Sequence, residues 1–296
     1  MNPKYLIRHT DALRAKNKPF AIIDEQPFVR KNQWVTPIGP AAQGYHLTPT
    51  QCRDLFDKLG GLWVQWTGGF FAHADHSEWY AVICRRHTSI NEVTSGKLRS
   101  ELRRGLNNCE VRKVDAEQIA LQGYETYCAA ISRYQGQDEQ LPTEADFQRR
   151  VRSDAPFADI RHQWAVYHQG KLIAFAQNLI YEKIEADYTL IKLHPDYLKF
   201  YPGYALIYKM NEYYLTEQGF QYVNDGFRSI LHQTGIQDFL IKKFGFEKAP
   251  TGLYLHFRPP FGQLLRLARP FRRPLARFYP KADALFELHR LSRQAW

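Results

Sequence analysis

No apolar run in the sequence reaches the ~18 residues a membrane-spanning helix needs, and the opening stretch MNPKYLIRHTDALRAKNKPFAII holds no core for a secretion signal. A membrane-spanning protein is therefore not expected. The four cysteines, Cys52, Cys84, Cys109 and Cys128, have neither CxxC nor Cys/His ligand spacing. That pattern implies no structural zinc or other metal, and with no leader ahead of them it points to reduced thiols in a cytosolic protein. A Gly-x-Ser-x-Gly elbow is missing, and no Cys/His pair stands in for it, so chemistry through a covalent enzyme intermediate is not expected. No internal repeat is visible.

What is present is a globular composition: 296 residues, 44% hydrophobic and 15% aromatic, with 18 Tyr and 19 Phe. That is enough for one large core or two modest ones, and for wide, partly polar pockets. The net charge of +10 is unevenly spread. From Arg258 onward nine basic residues face only Asp283 and Glu287, leaving +7 in the tail and +3 in the body. The tail is cut by Pro270, Pro274 and Pro280 and carries Leu285, Leu288 and Leu291 among basic residues. Such a segment either lies on an anionic bilayer surface or packs back on the body as an arm. The first case would place the protein peripherally at the inner face of the membrane, the second simply in the cytoplasm.

Along the chain, weak strands are expected at 21–23 and 33–35. Thr48-Pro49-Thr50-Gln51 is a capping box opening a helix that Gly60-Gly61 stops. Strands at 62–66 and 78–84 flank a loop holding His73 and His76, and Tyr45, Trp63, Trp66 and Trp79 serve either core packing or an acceptor pocket. A helix over 95–107 sets Leu98, Leu102 and Leu106 on one stripe and Lys97, Arg99, Arg103 and Arg104 around the rest. Its basic face is either merely solvated or covers a negatively charged ligand. From Cys109 to Arg258 the order reads strand, helix, helix, three strands, helix, strand, helix, strand. Gln169-Gly170 is a hairpin turn, Pro195 closes the third of the three strands, and Gly219 and Gly245 stop the last two helices. The turn Tyr201-Pro202-Gly203-Tyr204-Ala205 is either an ordinary entry into a helix or a place where outward N–H groups hold an anion.

That order, with a glycine turn between the fourth strand and the third helix, resembles the GNAT superfamily of acyl-CoA N-acyltransferases. KLRSELRRG before a strand, and YVNDG paired with LIKKFGF, are similar to Fem-type peptidoglycan aminoacyltransferases and their bacterial relatives. The resemblance implies a mixed central sheet flanked by helices, in tandem: a smaller unit over 1–108, a complete GNAT unit over 109–258, and the tail over 259–296. It further implies transfer of an acyl group from acetyl-CoA or another acyl-CoA to a primary amine of a small or glycan-precursor acceptor of the cell envelope. Aminoacyl-tRNA is the alternative donor, although the long heptad insertion of Fem-type enzymes is missing. A third alternative is an inert binding module of the same shape.

Carried onto these residues, the resemblance gives backbone around Lys192, Leu193 and His194 to polarise the donor carbonyl, and Gly203, Tyr204 and Ala205 to take its phosphates. The family's Gln or Arg ahead of that turn is replaced by Phe200, with Lys199 beside it as a substitute charge. The carboxylates nearby are Glu182, Glu185, Asp187 and Asp225. Asp187 and Asp225 are expected to face one cleft where the two central strands splay, and a partly dried carboxylate there suits a general base. His194 and His232 are alternatives with suitable intrinsic pKa values. Arg103, Arg104, Arg228, Lys242 and Lys243 are read as surrounding the mouth of that cleft, available to an anionic donor or acceptor.

Overall fold

The computed structural model describes residues 4–70, 77–134, 141–230, 235–272, 277 and 280–292. The elements begin α1 (Lys4–Ala15), β1 (Phe20–Ile23), β2 (Gln26–Lys31), β3 (Trp34–Pro37), α2 (Pro49–Leu59), β4 (Trp63–Phe70), β5 (Tyr80–Cys84) and α3 (Gly96–Asn108). They continue β6 (Glu110–Val114), α4 (Ala116–Gln122), α5 (Tyr124–Tyr134), α6 (Glu144–Arg152), β7 (Arg161–His168), β8 (Lys171–Tyr181), β9 (Glu185–Leu193) and α7 (Pro202–Asn211). Last come β10 (Tyr222–Phe227), α8 (Ile236–Phe244), β11 (Glu247–Phe257), α9 (Phe261–Ala268) and α10 (Pro280–Leu291). The mixed α/β class is the expected one, and from β6 to β11 the order is the one read from the sequence except that the first of the two helices expected after β6 is two, α4 and α5, divided at Gly123. His73, His76 and His232 lie outside the described residues.

Two compact units share the chain: Met1–Val82 with Phe227–Gln237 and Lys248–Trp296, and Ile83–Gly226 with Asp238–Glu247. The sequence reading placed the 95–107 helix in the first unit and the last strand in the second. In the structure α3 belongs to the second unit and most of β11 to the first.

In the first unit the strands run β1-β2-β3-β4-β11. β3 and β4 are parallel and the other pairs antiparallel. Thr48 accepts from Gln51 N while the Gln51 side chain answers at Thr48 N, the predicted box, and α2 buries Cys52, Leu55, Phe56 and Leu59 against Phe28, Val35 and Val64. Each large side chain so buried contributes roughly 1.5–3 kcal/mol. β2, between the strands expected at 21–23 and 33–35, was not predicted. A turn precedes it, with Asp24 and Glu25 both at positive φ.

The second unit orders its strands β10-β9-β8-β7-β6, antiparallel except for β9 with β10. One face is covered by α4, α5 and α6, whose Ile119, Tyr127 and Phe147 meet Ala165, Tyr167 and Phe175. The other is covered by α7 and its π-helical continuation Glu212–Glu217, where the Tyr214 hydroxyl accepts from Trp164 Nε1 and Asn178 Nδ2. Gly219 and Gly245, both at φ 69, end their helices as their positions in the sequence suggest. The predicted Gln169-Gly170 turn takes positive φ at both residues and joins β7 to β8.

Candidate functional site

β9 and β10 are paired only at Glu185 with Tyr222, Ala186 with Val223 and Asp187 with Asn224. Beyond that point β9 runs on through Leu193 against β8 alone, with a register shift opposite Gln177 and Leu179. The two central strands of this unit therefore part after Asp187 and Asn224, as the sequence reading required.

The pleat decides which side chains face the opening. The Tyr222 hydroxyl and Asn224 Nδ2 both donate to the buried Glu185 carboxylate, at 2.6 and 2.9 Å. Tyr222, Asn224 and Glu185 thus share one face. Alternation puts Asp187 on that face too and turns Val223 and Asp225 to the other. The expectation that Asp187 and Asp225 face one cleft is therefore corrected: parallel register sets Asp187 beside Asn224, so the two carboxylates point to opposite sides of the sheet.

On the Asp225 side stands Tyr188, buried, its hydroxyl donating to Asn211 Oδ1 of α7 at 2.8 Å. Burial pushes the Tyr188 hydroxyl well above its usual pKa, the charges of Tyr214, Cys84 and Asp225 adding to the effect. Asp225 itself is pushed up by burial to about 7. At neutral pH such a group is divided between carboxylate and acid, the condition under which a carboxylate accepts a proton effectively.

Asn211 also lines a cavity of about 240 Å³, walled by Leu98 and Leu102 of α3, Tyr208 of α7, Lys242 at the end of α8, and His87. His87 packs edge-on to Tyr208, ring centres 4.7 Å apart, and its Nε2 is buried without a hydrogen-bond partner. Burial lowers the His87 pKa, leaving a neutral imidazole whose second nitrogen is available to a ligand. Tyr208 is fixed by Ile90 N, which donates to its hydroxyl at 3.2 Å. His87, Tyr208 and Asn211 were missed in the sequence, where they appear only as single polar residues beside apolar ones.

The turn into α7 is more crowded than the sequence suggests. Tyr201 is in the left-handed region, φ 60 and ψ 41, and its carbonyl accepts from both Tyr204 N and Ala205 N at 3.1 and 3.2 Å. Gly105 of α3 lies against the same place: a Cβ there would stand 2.8 Å from Tyr201 O and 3.2 Å from Ala205 N. A Cβ on Gly203 would meet Leu193 at 3.2 Å. The Tyr204 ring packs on Phe239 and Phe244 at 5.0 and 6.1 Å, and Lys243 is tied to Glu101 at 2.8 Å. Two of the three N–H groups proposed for phosphates are thus engaged within the turn.

The remaining candidates separate. His194 is buried. It accepts Asp196 N at Nδ1, its Nε2 sits 3.7 Å from Glu125, and it caps the short helix Pro195–Phe200 at the far end of β9 from Asp187. Lys192 lies over the Tyr127 ring and the exposed Lys199 over Phe200. Arg103 and Arg104 are exposed on α3, Arg104 lying 5.9 Å from the Tyr201 ring centre. Arg228 belongs to the first unit, where it donates to Glu78 O at 3.0 Å and faces the Glu78 and Glu287 carboxylates. Lys242 and Lys243 are the basic candidates that line the cavity.

No protein-family model matches the chain, and no curated protein does. Solved structures do. FemX superposes with a TM-score of 0.53 over 88% of this chain and 92% of its own, at 11% identity. The C-terminal domain of a proposed lysylphosphatidylglycerol synthetase from Agrobacterium fabrum gives 0.52 over 86% and 91%, at 14% identity. The fold is GNAT-like and of the Fem type. Where β9 parts from β10, Asp225 lies on the α7 face beside the buried Tyr188.

Proposed function

We propose that the second unit transfers an acyl group to a primary amine by direct attack, with Asp225 as the base. The amine nitrogen adds to the donor carbonyl, the bond from that carbon to its carrier breaks, and the proton released by nitrogen passes to the Asp225 carboxylate. The observation that carries this reading is Asp225 itself, at the point where the strands part, its carboxyl at about 7. Lys192 and Leu193 lie on the stretch of β9 that has left β10, so their backbone is the proposed neighbour of the donor carbonyl. Asn211, Tyr208 and the unpartnered His87 Nε2 are the proposed polar contacts of the bound group, and Lys242 its electrostatic partner.

Acyl-CoA and aminoacyl-tRNA both offer a carbonyl of this kind. The crowding of the α7 turn by Gly105, with Tyr204 N and Ala205 N already engaged, favours the second, because its phosphates need not rest on that turn. Exposed Arg103 and Arg104 on α3 are then available to its backbone. The test is transfer of labelled acyl groups from acetyl-CoA and from aminoacyl-tRNA to a panel of amine acceptors. Product from aminoacyl-tRNA alone, inhibited by salt and lost in Asp225→Asn by roughly 100-fold or more, supports the reading in full. Product from acetyl-CoA alone keeps the chemistry and removes the tRNA donor. Undiminished turnover in Asp225→Asn removes the base.

A further inference from the structure

The two halves of the basic tail are used differently. α10 folds back on the first unit: Leu288 and Leu291 pack against the core of Trp79, Leu253 and Leu255, and Arg290 holds both oxygens of Glu78 at 2.8 Å. α9 gives the core only Leu265, which is 7% exposed. Leu264 and Leu267 of α9, at i and i+3, stand 58 and 72% exposed, and Phe271, closing the 3-10 turn Arg269–Phe271 that continues the helix, 62%, an outward apolar stripe. Large apolar side chains at least 58% exposed number four among the described residues, and three of them fall in this one stretch. The stretch carries no carboxylate of its own: no acidic residue occurs between Arg258 and Asp283, and the exposed Arg266 and Arg269 flank a small groove toward Phe286 and His289 of α10.

We propose that α9 docks this protein on an anionic lipid bilayer. Leu264, Leu267 and Phe271 enter the headgroup boundary while the Arg266 and Arg269 guanidinium groups meet lipid phosphates, their stems lying along the interface. Charge complementarity selects the occupant: a stripe of leucines needs an apolar phase, and a basic stretch that carries no carboxylate of its own from Arg258 to Asp283 needs an anionic one. Among the described residues no helix is long and apolar enough to cross a membrane, so attachment is to the surface. The inference is independent of the transferase reading, and a chain inert in the transfer assay would still bind.

The full chain is sedimented with vesicles of equal parts phosphatidylcholine and phosphatidylglycerol, and with phosphatidylcholine alone. Binding to the mixed vesicles is expected, weakened by salt and at least ~10-fold poorer on phosphatidylcholine alone. Leu264→Gln with Leu267→Gln should cost roughly 10-fold per residue, and Arg266→Gln with Arg269→Gln ~5-fold per residue. All four side chains are exposed, so both variants should keep the wild-type melting temperature. Three results overturn the proposal: no binding by the wild type; equal binding by the leucine variant, which makes the attachment purely electrostatic; or vesicle binding unchanged while the leucine variant converts a dimer to a monomer, which makes the stripe a contact between copies.

Discussion

Replacing Asp225 with Asn separates stability from function at one atom. Folding raises the carboxyl from its ordinary 3.8 to about 7, which corresponds to about 4 kcal/mol of differential interaction between its two forms. The sign follows from proton counting. Between those two values the folded chain holds a proton there that the unfolded chain has released, so stability falls as pH rises and the penalty is complete above about 7. Below pH ~4 both states are protonated and the penalty is absent. Asn has the same shape and cannot ionise. Asp225→Asn should therefore match the wild type near the acid end and exceed it at pH ~8 by about 2–4 kcal/mol, the upper figure being reached only if no water follows the carboxylate into its site. The assay is urea unfolding of both proteins at stepped pH, plotted as a difference. A difference that does not change with pH would show that Asp225 ionises as it does in the unfolded chain, and the case for it as a base would fall with it. Stabilisation together with lost transfer is the outcome expected of a residue kept for chemistry at the expense of stability.

Gly105→Ala should lower stability by about 1–3 kcal/mol despite Ala's better helix propensity, because its Cβ meets Tyr201 O at 2.8 Å; a thermal melt checks this, and a raised melting temperature would mean that α3 does not press on the α7 turn. Tyr188→Phe removes the donor to Asn211 Oδ1 inside a buried cluster and should cost about 1–3 kcal/mol in denaturant unfolding; no loss would show that the bond is replaced by another partner. His162 is buried between Tyr214 and Lys113 and held down from 6.5 to about 4, by burial first and then by the Lys113 charge. The folded state thus binds fewer protons in that window, and up to about 3 kcal/mol of stability should be lost as pH falls through it. His162→Gln should remove that acid loss, and a stability difference between variant and wild type that stays constant from pH ~6.5 to ~4 would refute the reading.

The sequence was most informative where the interaction is local. Thr48 with Gln51 satisfies a helix start within three residues and forms as read; Asp115 with Gln118 and Thr143 with Asp146 do the same for α4 and α6. Gly219 and Gly245 end their helices for the same reason, a left-handed residue being cheap only for glycine. Such signals set the order of elements from β6 to β11, and through it the GNAT-like fold. They also placed Asp225 in the fifth strand of that unit, the position on which its proposed role rests.

Other features were decided by segments far apart in the chain, whose relative placement no local rule contains. Asp187 and Asp225 look equivalent in the sequence, yet a parallel register that pairs Asp187 with Asn224 sends them to opposite faces, since side chains alternate and a shift of one residue exchanges the sides. The α7 turn reads as an open anion site until Gly105, nearly a hundred residues earlier, is brought against Tyr201 and Ala205. His87, Tyr208 and Asn211 form a cavity wall only because α3 and α7 pack together there. In the tail, heptad-like spacing marks the Leu288 and Leu264 segments alike; tertiary packing buries one stripe against Trp79 and Leu253 and leaves the other in solvent. Caps and turns are fixed by neighbours within a few residues, whereas register, facing and cover are fixed by which distant surfaces exclude water together.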